Sequence, residues 1–169
     1  YFIYPCLIFI SIRGLEFISN KITFKYSFIL TLPVLIFIAI WMIKNHPFQF
    51  VYFNKLAGKN IENRFELDYW GTSNKNTLNY ILKNNQKKVI NIYILSSSPY
   101  IFSLSMIDKN QRDRIKFVNN KNDADFLVTN HYYEKGNPAV INQKLKKEFK
   151  LLKEFKVDDM PINTIFKMN

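Results

Sequence analysis

The amino-acid sequence predicts a small α/β domain with a mixed sheet, which follows two transmembrane α-helices. Two uncharged apolar runs near the start of the chain predict the membrane helices. A run rich in β-forming residues at 88–95 and two shorter runs at 114–118 and 124–129 predict three strands. An alternating segment that leads into a Pro-containing turn predicts a terminal hairpin. Strands separated by helices and completed by a hairpin are typical of a mixed sheet.

The first apolar run, residues 1–12, carries no charge and is expected to belong to a membrane helix that ends near residue 18. The chain begins inside this run and without Met. We therefore expect it to be the C-terminal end of a longer protein. Residues 19–25 are expected to form a short joint, and the segment from 13 to 25 carries three basic residues, Arg13, Lys21 and Lys25, against Glu16 alone.

The second apolar run, residues 26–43, contains 18 consecutive residues without a charge. As an α-helix it would span about 27 Å, close to the hydrocarbon thickness of a bilayer. Tyr26 and Trp41 lie near its ends, where aromatic rings favour the membrane interface. A buried core helix and a signal peptide are the alternatives, but the apolar part of a signal peptide is shorter. We therefore predict a transmembrane helix at 26–44.

The basic joint between the two helices predicts the topology. Basic residues in short loops stay on the cytoplasmic side, so the second helix should run outward and carry the rest of the chain to the outer face. The remainder is also basic, but long domains cross membranes largely regardless of charge. The prediction is a multi-pass protein of the bacterial cytoplasmic membrane with its C-terminal domain outside and the lipid bilayer as a partner.

The composition limits the other partners. The net charge is +11, which indicates either a bias toward Lys or attraction to anionic lipid headgroups. The basic residues are scattered and form no nucleic-acid-binding motif, so no nucleic-acid partner is predicted. Cys6 is the single cysteine, which excludes a disulfide within the chain.

The residues after the second helix divide into an aromatic interfacial segment at 45–73 and the α/β domain at 74–169. Helices are predicted from Thr72 or Ser73 to about Asn84, with three apolar residues at helical spacing, and from Pro99 to about Asp108. The predicted terminal elements are a loop at 132–138, a strand at 149–157, a turn at 158–161 and a strand at 162–168.

Two short segments, HPFQFVYFN at 46–54 and FELDYWG at 65–71, carry a family resemblance. They resemble the C-terminal region of bacterial polytopic glycosyltransferases of the GT-C type, related to the protein O-mannosyltransferase family. The specific letters cover about residues 46–73, and the layout covers the whole chain. The matching residues are His46, Pro47, Gln49, Tyr52, Asn54, Glu66, Asp68, Tyr69, Trp70, Gly71 and Ser73.

The resemblance implies a longer enzyme that takes a sugar from a polyprenyl-phosphate donor at the outer face. A glycan or a protein would be its acceptor. The resemblance also places the catalytic acid in the first large outer loop, upstream of this chain, so the part described here would be accessory and would hold no catalytic residue. We predict no cofactor and no metal.

The candidate substrate-binding residues are His46, Asn54, Glu66, Asp68, Tyr69 and Trp70. Glu66 and Asp68 are two residues apart, which on a strand would point both carboxylates to one side. They would then contact a sugar or a metal, or act as acid and base; alternatively they accept hydrogen bonds within a structural turn. Tyr69 and Trp70 would stack on a sugar ring or pack in the interior.

The two histidines are candidates of a different kind. His46 stands where the chain leaves the membrane and would either contact a phosphate headgroup or cap the helix end. His131 has Asp123, Asp125 and Glu134 nearby in sequence, but the spacing matches no established metal-ligand pattern. Ser96 to Ser98 follow a strand, as a phosphate-binding loop would, but they lack its glycine and lysine.

Two functions from different classes follow from these observations. In the first, the chain is the accessory end of a membrane glycosyltransferase. In the second, it is a non-catalytic envelope protein whose outer α/β domain binds a partner or a glycan while the helices anchor it.

Overall fold

The computed structural model describes residues 3–21, 24–53, 57–132 and 138–168. The chain divides into two compact units, Tyr1–Gln49 and Phe50–Asn169.

The first unit consists of two apolar helices, α1 (Ile3–Lys21) and α2 (Phe24–Lys44), and α2 contains the predicted run 26–43. By length and composition, α1 is the one helix of the described residues that could cross a membrane, and Thr31–Lys44 within α2 is a shorter apolar helix. Helical structure also covers most of the predicted joint at 19–25. Lys21 ends α1, where a basic side chain favourably meets the negative end of the helix dipole.

The second unit holds four α-helices and five strands in its described residues, together with short 3-10 helices such as Ile61–Asn63 and Lys121–Asp123. The helices are α3 (Thr72–Lys83), α4 (Tyr100–Ser105), α5 (Lys109–Arg112) and α6 (Pro138–Glu148). The strands are β1 (Ile90–Ile94), β2 (Ile115–Val118), β3 (Phe126–Thr129), β4 (Lys150–Val157) and β5 (Met160–Lys167).

The five strands form one mixed sheet in the order β2-β1-β3-β5-β4. Strand β1 pairs in parallel with β2 and β3, whereas β5 pairs antiparallel with β3 and β4. The predicted fold class, a small α/β domain with a mixed sheet, is therefore confirmed. The carboxyl ends of β1 and β3 share one edge of the sheet, and the antiparallel β5 brings its amino end to that edge.

Helices cover both faces of the sheet. The main core lies on one face, where α3 contributes Leu78, Ile81 and Leu82 at the predicted helical spacing, packed against apolar residues of β1, β2, β3 and β5. On the opposite face, α6 contacts β5. Every residue of β5 from Pro161 to Phe166 is buried, because both faces of this strand are covered.

The terminal hairpin forms where the alternating pattern predicts it, but its turn is tighter than residues 158–161. Asp158 and Asp159 alone connect the strands, with φ of 47° and 67°. Two-residue hairpin turns with positive φ at both positions match the twist of the flanking strands, and Asp tolerates this conformation better than most residues. Pro161 consequently lies in β5 rather than in the turn.

Asp125 joins the segment before β1 to the segment before β3. Its carboxylate accepts a hydrogen bond from the Lys87 ammonium and another from the backbone N–H of Asn91, at 2.9 Å. Burial opposes the shift, but these two donors and the lysine charge together lower the pKa of Asp125 below its usual range.

We expect the replacement of Lys87 by Gln to make folding stability less dependent on acid pH. A carboxylate with a lowered pKa stabilises the fold above its unfolded pKa of about 3.9, and this contribution disappears as the pH falls through the lower folded value. Urea unfolding across this pH range should therefore show wild type above the variant at neutral pH, with the difference vanishing in acid. Lys144→Gln, an exposed lysine of α6, should leave the curve unchanged.

Candidate functional site

Three segments meet at the carboxyl edge of β1 and β3, and we call this place the carboxyl-edge site. It comprises the turn at 65–71, the loop at 95–99 after β1 and residues 130–132 after β3. The side-chain amide of Asn130 donates to the backbone carbonyl of Asp68 at 3.1 Å, which ties the turn to the end of β3. The backbone N–H of Ser97 donates to the carbonyl of Tyr132 at 3.2 Å, which ties the two loops.

The carboxyl-edge site lies where the strand order of the sheet reverses. After β1 the chain adds β2 on one side of it and then β3 on the other side. The strand order therefore reverses at the boundary between β1 and β3. In open α/β sheets, ligands bind in the crevice at the carboxyl ends of the strands where the strand order reverses. The carboxyl-edge site lies at that position of the sheet.

Asp68 fastens the turn to the start of α3. Its side chain is 1% exposed. One carboxylate oxygen accepts hydrogen bonds from the backbone N–H and the hydroxyl of Thr72, at 2.9 and 3.1 Å. The other accepts from the backbone N–H of Ser73 at 3.2 Å and from its hydroxyl. These donors satisfy backbone groups that the first turn of a helix leaves free.

The same burial raises the pKa of the Asp68 carboxyl, although the hydrogen bonds from Ser73 and Thr72 act in the opposite direction. Both oxygens are already engaged with protein donors. Asp68 is therefore placed to hold the turn in position, and an acid–base role would require it to give up these bonds.

A buried polar network forms the base of the site. Asn163 of β5 donates to the Ser73 hydroxyl at 2.8 Å and to the Asn74 side-chain carbonyl at 3.1 Å, and it accepts from the Tyr100 hydroxyl at 3.1 Å. Asn74 in turn donates to the Ser98 hydroxyl at 2.7 Å. Buried groups that satisfy one another in this way hold a rigid arrangement.

Gly71 is the residue that allows this close approach. Its φ is +62°, and a Cβ there would lie 2.5 Å from the Asn74 amide nitrogen and 2.8 Å from the Ser98 hydroxyl oxygen. The turn therefore needs both the conformation and the small size of glycine.

The site also contains a cluster of three aromatic rings, those of Tyr69, Trp70 and Tyr132. Trp70 is 78% exposed, more than any other large apolar side chain that the structure describes, and Tyr69 is 51% exposed. The Tyr69 ring packs edge-on against Trp70, at 5.0 Å between centroids and 84°, and against Tyr132, at 5.4 Å and 86°. We call Tyr69, Trp70 and Tyr132 the aromatic platform. A rigid, solvent-facing indole presents a flat apolar surface with an electron-rich face, which suits the C–H groups of a sugar ring.

The structure places only some of the predicted candidate residues in this site. Asp68, Tyr69 and Trp70 lie together in the site. Glu66 belongs to the same turn but is exposed. The segment is a turn and not a strand, so the i, i+2 spacing does not bring the carboxylates together.

The other two candidates, His46 and Asn54, are not among the residues that the structure brings together here. His46 belongs to the first unit, where its Nδ1 is 2.7 Å from the Gln49 side-chain nitrogen. The side-chain amide of Asn45 donates to the carbonyl of Trp41 at 3.0 Å and thereby caps the end of α2. Asn54 lies outside the described residues.

Sequence reasoning missed several members of the site. Asn130 and Tyr132 follow β3, Asn163 lies in β5, and the turn at 65–71 precedes α3; spacing gave no signal because only the folded sheet brings these segments together. Ser98 belongs to the serine run that follows β1, and its position directly after a strand was the available signal.

His131 belongs to a second polar chain. It is buried with φ of 63°, and its Nε2 lies 3.3 Å from the Thr164 hydroxyl. Asn142 of α6 donates to that hydroxyl at 2.8 Å and to Glu154 at 3.1 Å. Among the described residues, no group of three or more His, Cys, Asp or Glu side chains is close enough to hold a metal ion.

The carboxyl-edge site thus combines an exposed aromatic platform with a fixed polar base. The carboxylate at its base is saturated with internal donors, and this arrangement suits binding of a flat, polar ligand. Comparison of the chain with protein-family models, with curated proteins and with solved structures finds no match in any of the three.

Proposed function

We propose that this chain is the membrane-anchored, glycan-contacting C-terminal part of a glycosyltransferase that uses a polyprenyl-phosphate-linked sugar. The observation that carries the proposal is Trp70, an indole 78% exposed yet held in place by Tyr69. Exposing so large an apolar surface has a cost in water, and a ligand that covers it recovers that free energy. The Tyr69 ring packed against it favours one orientation of the indole before the ligand arrives.

The location of the protein forms part of the same proposal. The helix α1 and the apolar α2 anchor the chain in the bacterial cytoplasmic membrane, and the basic residues around residues 13–25 keep the connection between them inside. The α/β domain then lies at the outer face, where polyprenyl-phosphate sugars are used by the enzymes that the sequence resembles. The catalytic acid belongs to the upstream part of the longer protein, and the domain helps to hold the acceptor or the donor.

Glycan binding is tested by fluorescence titration of the full chain in detergent. The sequence has two tryptophans, so Trp41→Phe leaves Trp70 as the single reporter. Oligosaccharides of different composition are added one at a time, and a ligand that stacks on the indole should change its emission. Tyr69→Ala should weaken the binding of that ligand about tenfold, because the ring that supports the indole is lost.

A matched control separates the platform from exposed aromatics in general. Phe102 is 66% exposed but belongs to α4, and Phe102→Ala should leave glycan affinity unchanged. Equal losses in both variants, or no response to any oligosaccharide, would contradict the proposal.

The proposal that this chain is part of a glycosyltransferase is tested with the longer protein. If the domain positions a substrate, Trp70→Ala should raise KM for donor or acceptor and leave kcat nearly unchanged, since uniform binding has been removed. A longer protein that binds glycans through Trp70 but transfers no sugar from a polyprenyl-phosphate donor would instead be the non-catalytic envelope protein.

A further inference from the structure

The short helix α4 presents an apolar ridge to solvent. Its inner side buries Tyr100 and Ser103. On its outer side Ile101 is 57% exposed, Phe102 is 66% exposed, and Met106 in the next turn is 65% exposed. We call Ile101, Phe102 and Met106 the α4 ridge. Three large apolar side chains exposed within six residues of one another indicate an interaction surface for a protein, a ligand or a membrane.

Basic residues flank the ridge on one side. Met106 lines a cleft of about 490 Å³ together with Lys75 and Lys83 of α3 and with Arg114. Neither lysine forms an ion pair with another described residue. The Arg114 guanidinium donates to the backbone carbonyls of Asn85 and Lys87. Because these carbonyls carry no net charge, they do not neutralise the positive charge of Arg114.

The other side of the ridge carries one cation and one anion. Ile101 lines a second cleft, of about 320 Å³, with Arg112 and Asp113. Arg112 and Asp113 approach within 4.0 Å of each other, and Asp108 is the one acidic residue of the first cleft. The surroundings of the ridge therefore carry more positive than negative charge.

The charge of the whole second unit has the same sign. Four of the 24 basic residues and one of the 13 acidic residues precede Phe50, which leaves 20 basic and 12 acidic residues from there onward. Apolar side chains bordered by cations are the pattern with which proteins enter the boundary between anionic headgroups and acyl chains.

We propose that the α4 ridge docks onto the surface of an anionic lipid bilayer, with Phe102 and its two neighbours inserted and Lys75 and Lys83 against the headgroups. This proposal does not depend on glycan binding, because the ridge and the aromatic platform share no residue. It adds a second point of membrane attachment to the apolar helices of the first unit.

The test places a fluorophore on the ridge of the full chain. Cys6→Ser removes the single cysteine, and Met106→Cys then accepts an environment-sensitive label. The protein is reconstituted into vesicles of phosphatidylcholine alone or mixed with phosphatidylglycerol. We expect lipids that carry a spin label near the headgroup to quench the fluorophore strongly, and dissolved iodide to quench it weakly, in the anionic vesicles. A label at Val140 of α6, which is 48% exposed, should respond in the opposite way.

Two sets of variants assign the effect. Phe102→Asp should abolish lipid quenching at position 106, whereas Val140→Asp should not alter it. Replacing Lys75 and Lys83 together by Gln should weaken docking on anionic vesicles roughly 30-fold, since each cation near such a surface contributes a factor of about five. The matched double variant on α6, Lys144→Gln with Lys147→Gln, should have no effect.

Two results would overturn the proposal. In the first, the label at 106 is as open to iodide as the label at 140. In the second, it is shielded from iodide but not quenched by spin-labelled lipid, which would identify a protein, or a second copy of this chain, as the occupant.

Discussion

Replacing Asp68 by Ala is expected to lower the free energy of unfolding of the second unit by about 3 kcal/mol. The change removes the acceptor for four hydrogen bonds and leaves the backbone N–H groups of Thr72 and Ser73 without it. Ser73 is fully buried, so water cannot replace the partner lost there, and an unsatisfied buried donor costs more than the bond itself contributes. Urea unfolding of the detergent-solubilised chain, followed by far-ultraviolet circular dichroism, measures the loss.

Glu66→Ala is the matched control, because it removes an exposed carboxylate two residues earlier in the same turn. Its effect should stay within about 0.5 kcal/mol. Amide hydrogen exchange adds a local readout: in Asp68→Ala the first turn of α3 should exchange faster than the strands do. If both variants lost the same stability, capping by Asp68 could not be the cause.

Replacing Gly71 by Ala is expected to cost about 3 kcal/mol as well, for a different reason. An L-residue at φ of +62° is strained by about 1–2 kcal/mol, and the added Cβ would collide with the side chains of Asn74 and Ser98. Relieving the collision requires the buried hydrogen bond between those side chains to break, which adds about 1–2 kcal/mol. The same unfolding measurement applies.

Gly58 separates strain from collision. Its φ is +80°, but a Cβ there would meet only a side-chain nitrogen of Arg64, at 3.7 Å, which is ordinary contact. Gly58→Ala should therefore show the backbone strain alone, about 1–2 kcal/mol. Glycan affinity provides a further check: Gly71→Ala should weaken binding at the aromatic platform, and Gly58→Ala should not. Equal stability losses at the two glycines would argue against the collision with Asn74.

The strands of the sheet were predictable because their signals are local. The run 88–95 is rich in β-branched and aromatic residues, and β1 forms within it at Ile90–Ile94. Strand β3 forms at Phe126–Thr129 within the predicted run 124–129, and it is paired on both sides. Helix α3 followed from apolar residues at helical spacing, since one of its faces packs into the core.

Helix α6 had a weaker signal and was missed. Its contact with the sheet depends in part on Asn142, which is fully buried and bonds to Thr164 and Glu154. A helix that packs through a polar residue shows little apolar periodicity. Pro138 at its first position was the available signal, because proline favours the first turn of a helix.

The candidate site was predictable in its turn but not in its base. The compact segment FELDYWG indicated Asp68, Tyr69 and Trp70, and these residues lie together. Asn163 is 90 residues from Ser73 and 63 from Tyr100, and it meets both only because β5 inserts between β3 and β4. Strand order is a property of the packed sheet, and a single sequence carries little information about it.

The hydrogen bond between Tyr100 and Asn163 has a thermodynamic consequence. Tyr100 begins α4, whose opposite side is the ridge, and Asn163 supports the polar base beneath the aromatic platform. A displacement of α4 would therefore disturb the network beneath the platform, both through this bond and through Ser98, which precedes α4 and accepts from Asn74. Coupling of this kind is reciprocal: if a membrane changes the affinity of the platform for a sugar by some factor, the sugar must change the affinity of the ridge for the membrane by the same factor.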